Sequence, residues 1–302
     1  MSDDQPGTTV LLAGGSGLIG SALTTALTAR GHAVRHLVRR EATGPAEVTW
    51  SPTDGVLPPE ALDGVGVAVV LSGAGVGDKR WTDARKRELL RSRTATTSLL
   101  ARRVAEVGGV PRLVTASAVG YYGDRGDAEL TEGSDPGEGF LADLCRAWEA
   151  AAEPAREAGV AVATARTGIV LSRDGGALAR LLPLLKLGVA GPIGHGRQWW
   201  PWISLADEVR ALVHLVEGDL TGPVNLTAPE PLRNAELVRV LARALSRPAT
   251  LPVPALALRI ALGEFSSDLL ASQRALPAAL LADGFAFDHP RLAPAAEQIL
   301  RG

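Results

Sequence analysis

Val10, Leu11 and Leu12 form an unbroken apolar run, and behind the glycines that follow, apolar and polar residues alternate with helical spacing as far as Arg30. The run reads as a strand buried on both faces, and the segment behind it as an amphipathic helix over residues 17–30, stopped at Gly31-His32. Similar patterns recur down the chain. They predict strands at residues 33–38, 47–50, 67–72, 112–117 and 160–166, with 168–171 extending the last. Helices are expected over 82–106, 140–156 and 178–187. Strands alternating with helices specify an α/β fold, a Rossmann-type doubly wound parallel sheet. Beyond about residue 188 the texture changes. Residues 191–203 hold too many glycines and prolines for a regular element, and Ser204 is a good N-cap for a further helix. The expected division is a Rossmann domain over residues 1–187, its last elements interleaving with the next. A smaller C-terminal cap and substrate domain over 188–302 would cover the carboxyl edge of the sheet.

The turn after the first strand is Gly14-Gly-Ser-Gly-Leu-Ile-Gly20. Glycines at 14, 17 and 20 supply what a dinucleotide needs: a tight turn, close approach of the pyrophosphate to the main chain, and a helix packed closely on its strand. Gly14, Gly15, Ser16, Gly17, Leu18, Ile19 and Gly20 are therefore candidate cofactor contacts, with free N–H groups at the helix N-terminus facing the phosphates. The second strand ends at Arg39-Arg40, where the adenosine ribose should lie. Two arginines there suit a 2′-phosphate, so the expected cofactor is NADP(H) ahead of NAD(H); Glu41, next in sequence, is the one residue that points the other way. Leu71, Ser72, Gly73 and Ala74 end the strand at 67–72 with small residues suited to passing under the cofactor.

Composition narrows the partners. Net charge is −2 over 302 residues, so no global basic field suggests nucleic acid or an anionic membrane. The basic run at the start of the helix over 82–106 reads as a solvated face, since no aromatic residues are interleaved with it. One cysteine, Cys145, excludes an internal disulfide framework and any multi-cysteine metal site. The N-terminal residues are polar and acidic, unlike a signal peptide, and no apolar run reaches membrane-span length. A soluble cytoplasmic protein acting on a small molecule is the expectation. Three of the six tryptophans, Trp199, Trp200 and Trp202, lie in the loop at 191–203. They read either as an aromatic plug or as a substrate-pocket wall, with His195, Gln198 and Trp199 facing the ligand.

Together, Ala13-Gly-Gly-Ser-Gly-Leu-Ile-Gly20, Ser72-Gly-Ala-Gly75, Arg80-Trp-Thr82, Ser117-Ala-Val-Gly-Tyr-Tyr-Gly123 and Gly191-Pro-Ile-Gly194 resemble the atypical extended short-chain dehydrogenase/reductases. More narrowly the chain is similar to the epimerase-family proteins, NAD-dependent epimerase/dehydratase-like. Arg274-Ala-Leu-Pro277 and Gly284-Phe-Ala-Phe287 resemble that family's C-terminal domain of unknown function. The resemblance covers nearly the whole chain. It implies bound NADP(H), adds Arg80 to the cofactor site, and implies an oxidoreductase or nucleotide-sugar-type epimerase without specifying a substrate.

The wider superfamily uses a Ser or Thr, a Tyr, and a Lys four residues after that Tyr. The ammonium lowers the phenol pKa and holds the nicotinamide ribose. This chain departs from the pattern. Its only lysines are Lys79, Lys86 and Lys186, and Gly75, Thr82 and Leu182 precede them by four. Counted back from Glu149, Leu141 stands where the tyrosine would be and Cys145 where the lysine would be. Cys145 reads as a small buried hydrophobe. The remaining catalytic candidates are Ser117, at a strand end, and Tyr121 or Tyr122. Arg166 would bind an anionic substrate group or pair with a carboxylate, and Glu149 would reach a ribose hydroxyl. The alternative is a non-catalytic NADP(H)-binding sensor or scaffold.

Overall fold

The computed structural model describes residues 7–301. The acidic stretch read above as unlike a signal peptide lies outside the described residues up to position 6. The strands, in chain order, are β1 (Thr9–Ala13), β2 (Ala33–Val38), β3 (Glu47–Thr49), β4 (Val65–Val70), β5 (Arg112–Ala118), β6 (Glu129–Leu130) and β7 (Ala161–Thr167). They continue with β8 (Ile169–Ser172), β9 (Trp199–Trp200), β10 (Trp202–Ser204), β11 (Gly222–Leu226), β12 (Leu232–Arg233) and β13 (Arg274–Ala275). The helices used below are α1 (Leu18–Ala29), α2 (Asp83–Val107), α3 (Phe140–Ala150), α4 (Glu153–Glu157), α5 (Gly176–Lys186), α6 (Leu205–Glu217), α7 (Asn234–Ala244), α8 (Ala255–Leu262) and α9 (Phe265–Leu270).

Seven strands form one parallel sheet in the order β11-β7-β5-β4-β1-β2-β3. The apolar run in β1 serves both faces. Val10 and Leu12 join a core with Val67, Val69 and Val114 under α1 and α6, while Leu11 and Ala13 join Ala68, Val70 and Leu113 under α2 and α4. Chain direction across the sheet reverses between β1 and β4, which opens a crevice at the carboxyl ends of those strands, where ligands of doubly wound sheets bind. The Rossmann-type fold is as expected.

Three local expectations change. The predicted helix at 140–156 is two helices, because Pro154 lacks an N–H and starts α4 instead of continuing α3. Residues 169–172 do not extend β7. At Gly168 the chain leaves the sheet, passing so close to the main chain that an added Cβ would stand 2.6 Å from the Pro201 carbonyl oxygen; β8 then pairs with β10. The tryptophan loop holds two short strands, β9 against β12 and β10 against β8. The seventh strand of the main sheet, β11, comes from beyond residue 187, and β6 pairs with β13, so the two parts of the chain are interwoven.

The C-terminal segment is fastened at the start of α6. Asp207 is fully buried; its carboxylate accepts the main-chain N–H groups of Asp288 and His289, each at 2.8 Å, and its own N–H donates to Ser204 Oγ at 3.1 Å. Asp207→Ala leaves two donors without partners, at about 1–3 kcal/mol each. The expected result is a lower urea midpoint together with new protease cleavage near residues 284–291; unchanged stability would show that the latch is dispensable.

Candidate functional site

The turn after β1 is built by close approach. Gly14 has φ +95°, and a Cβ on Gly20 would lie 2.1 Å from the Gly14 carbonyl oxygen, so α1 reaches this depth only with glycine at both places. Gly17 caps α1 without a side-chain hydrogen bond, and no acid lies in the first turn. The leading N–H groups of α1 therefore point at the crevice with a partial positive charge and no competing carboxylate. A groove of about 1360 Å³ opens there. Gly14, Gly15, Ser16 and Gly17 line it with Leu71, Ser72, Gly73 and Ala74, while Leu18, Ile19 and Gly20 form the helical turn behind.

At the β2 end of the groove the two expected arginines differ. Arg40 is committed to Glu47 by two hydrogen bonds, at 2.8 and 2.5 Å. That guanidinium, with the Thr43 N–H and hydroxyl, holds the Glu47 carboxyl down at about 2. Arg39 also lines the groove, is exposed, and makes no ion pair among the described residues. Arg87 and Arg91 of α2 line the same groove, with Glu88 between them. Of the basic run read as a solvated face, Arg87 and Arg91 are exposed as expected, and their spacing of four puts both on the groove side, whereas Arg85 and Arg93 are buried.

Farther along the same edge, Ser117, Arg166 and Asn225 are opposite one another across β5, β7 and β11. Glu149, reaching down from α3, ties them together. Ser117 Oγ donates to Glu149 Oε1 at 2.6 Å, and Arg166 donates to both carboxylate oxygens at 2.8 and 2.9 Å. Arg166 also donates to Tyr122 Oη at 3.1 Å, and that hydroxyl donates to Asn225 Oδ1 at 2.8 Å. Burial opposes the Arg166 charge, but Glu149 more than offsets it and holds its pKa above the ordinary value. Tyr122 is fully buried and its pKa is raised, chiefly by that burial. Tyr121 is half-buried, its ring 3.5 Å from the Arg166 guanidinium carbon, and its hydroxyl makes no hydrogen bond among the described residues.

Residues 10–226 match the family model for the NAD-dependent epimerase/dehydratase family, and residues 253–299 match a domain of unknown function, DUF1731. The chain belongs to the NAD-dependent epimerase/dehydratase family. Among relatives of this family, an epimerase family protein of Mycobacterium bovis is 47% identical over 282 residues, spanning 93% of each chain. The structure of human epimerase family protein SDR39U1 with NADPH superposes with TM-score 0.90 at 34% identity, covering 98% of this chain and 100% of that one. A nucleoside-diphosphate sugar epimerase from Corynebacterium glutamicum aligns with TM-score 0.80 at 36% identity over 98% of this chain and 58% of its own.

Within this family frame several expected site residues have other employment. Ser117 is buried and its hydroxyl proton is taken by Glu149, so it is not free to donate to a ligand. Glu149 and Arg166 are paired with each other. Tyr122 is sealed away, which leaves Tyr121. Arg80 packs on the C-terminal helices, donating to the Ile260 carbonyl at 3.1 Å, outside the groove lining. Gln198 is buried and donates to the carbonyls of Ile193 and Leu269. His195 Nδ1 accepts the Arg197 N–H within its own turn. Trp199 lies between Arg233 and Arg274 and lines a separate cavity of about 660 Å³. Cys145 is buried as expected, its thiol pushed up to about 12 by burial, with Glu149 adding to the shift.

One buried carboxyl at this edge was missed. Glu208 of α6 accepts from Thr167 Oγ1 at 2.8 Å, its Oε2 has no partner, and burial raises its pKa from 4.5 to about 8. The folded state thus holds an extra proton between those values. The stability this contributes is fully present below pH 4.5 and is lost as pH rises toward 8. Glu208→Gln keeps the acceptor for Thr167 without the ionisation. Its urea midpoint should exceed that of the natural protein at pH 8 and match it at pH 5; a pH-independent difference would contradict the assignment.

Proposed function

We propose that the chain binds NADP(H) along the groove and acts as an oxidoreductase or epimerase on a small hydroxyl- or carbonyl-bearing molecule. The observation that carries the cofactor choice is Arg39, an unpaired cation on the groove at the end of β2, with Arg87 and Arg91 lining the same groove. The NADPH in the human SDR39U1 structure supports the same choice. The residues fit the group: glycines at 14 and 20 let the turn and α1 pack directly on the ends of β1 and β4, and the uncapped α1 N–H groups are left for a pyrophosphate. From β2 to β5 the carboxyl edge spans three strand spacings, about 14 Å, enough for a dinucleotide lying across the sheet.

When bound, the cofactor supplies or accepts a hydride. The protein's part is to hold it and to manage one proton on the substrate oxygen. Tyr121 is our candidate for that proton: its hydroxyl makes no hydrogen bond among the described residues, and its ring is held against the Arg166 guanidinium. Arg166 is a positioning residue here, since Glu149 occupies its hydrogen-bonding edge. A second reading, an NADP(H)-binding protein without turnover, is favoured by the engaged Ser117 hydroxyl and the missing lysine.

Arg39→Ala should weaken NADPH about 10- to 100-fold, the worth of one or two charge-assisted hydrogen bonds, and leave NADH almost unchanged. Calorimetry with both nucleotides reads the difference; equal loss for both removes the 2′-phosphate assignment. Tyr121→Phe should retain NADPH affinity and lose at least about 100-fold in kcat on whichever nucleotide sugar or carbonyl compound the protein turns over. Undiminished kcat would exclude Tyr121 as the proton carrier. No turnover of any compound by the NADPH-loaded natural protein would select the second reading.

A further inference from the structure

Among the described residues, four arginines have a buried Nε without a partner: Arg85, Arg93, Arg103 and Arg274. Three of them are compensated by a carboxylate, Arg85 by Glu88, Arg103 by Glu106 and Arg274 by Glu129. Arg93 is not. It is 8% exposed, and its Nη1 donates to the Leu89 carbonyl at 3.1 Å and reaches Ser92 Oγ at 3.5 Å. Its guanidinium carbon lies 5.0 Å from the centre of the Trp148 ring. A buried guanidinium with neutral neighbours and an idle donor is costly unless an acceptor arrives.

Its position says which acceptor. The guanidinium is packed directly behind the groove lining, against Gly73, where an added Cβ would lie 3.1 Å from Arg93 Cζ and 3.3 Å from Nε; Gly73 and, on either side of Arg93 along α2, Ser92 and Thr96 line the groove. On its other side is Cys145, near enough that each biases the ionisation of the other. A dinucleotide with its adenosine at Arg39 and its pyrophosphate at α1 must carry its second nucleoside beyond β1. Its path then runs over the ends of β4 and β5, at Gly73. That half offers neutral oxygens, a ribose diol and a carboxamide, to a planar fork of donors. Cys145, with a thiol pushed up to about 12, supplies no cation there.

Resting on the NADP(H) reading, we propose that Arg93, from α2, is the cation that holds the nicotinamide-side nucleoside, in place of the lysine that α3 lacks. The test compares NADPH with adenosine 2′,5′-bisphosphate, which has the Arg39 end of the cofactor and no second nucleoside. The natural protein should bind both, and failure to bind either would overturn the NADP(H) reading itself. Arg93→Met should weaken NADPH by about tenfold or more and leave the bisphosphate unchanged, the loss expected for one hydrogen bond from a charged donor. Arg39→Ala, in contrast, should weaken both. Unchanged affinity for NADPH in Arg93→Met, or equal loss of both ligands, overturns the role of Arg93 while leaving the cofactor assignment standing. Arg93→Gln, which keeps length and polarity, is read against the same pair and the same outcomes if the methionine variant does not fold.

Discussion

The ion pair between Glu149 and Arg166 decides what the carboxyl edge of this sheet can do. Side chains this little exposed lose most of their hydration, and removing either one would strand the other at about 3–5 kcal/mol. The pair therefore persists as a unit, and everything near it is arranged around that unit. It takes the Ser117 hydroxyl, supports Tyr122 and through it Asn225, and presents a guanidinium face to Tyr121. Five of the polar groups that line up at the ends of β5, β7 and β11 are satisfied internally. The Tyr121 hydroxyl beside them makes no hydrogen bond among the described residues.

That closure explains why the groove at the glycine turn was legible in the sequence and the network at the strand ends was not. The glycine turn is local: its three glycines, the strand before them and the helix after them fall within one short segment, and the geometry follows from spacing alone. Arg39 is read the same way, from its place at the end of the next strand. The network at Ser117, Arg166 and Asn225 depends on register between strands that are distant in sequence, and on how far α3 leans over them. Glu149 facing Arg166, when either could have faced a ligand, is a property of that register. Gln198 and Trp199 illustrate the same limit. An aromatic, amide-containing loop has pocket-like composition, but Gln198 spends its donors on two main-chain carbonyls and Trp199 faces a different cavity.

Composition concealed more than it disclosed about charge. A net charge of −2 describes the whole chain, while the groove lining holds Arg39, Arg40, Arg87 and Arg91 against Glu47 and Glu88. With Glu47 paired to Arg40 and Glu88 to Arg85, Arg39, Arg87 and Arg91 make no ion pair among the described residues. Arg40, by contrast, is neutralised by Glu47 and braces the rim. Adjacent residues of one type thus have opposite assignments, because successive positions leave a strand end in different directions.

The start of α2 carries the same logic further. At about 100° per residue, the pair Arg87 and Arg91 is centred about 180° round the helix from the pair Arg85 and Arg93. One pair meets the groove and the other turns inward beneath residues 73–75. Arg85 there finds Glu88 and the Gly75 carbonyl, while Arg93 finds only Leu89 and Ser92. A helix read as a solvated basic face is instead exposed at Arg87 and Arg91 and buried at Arg85 and Arg93, as its packing against residues 73–75 dictates.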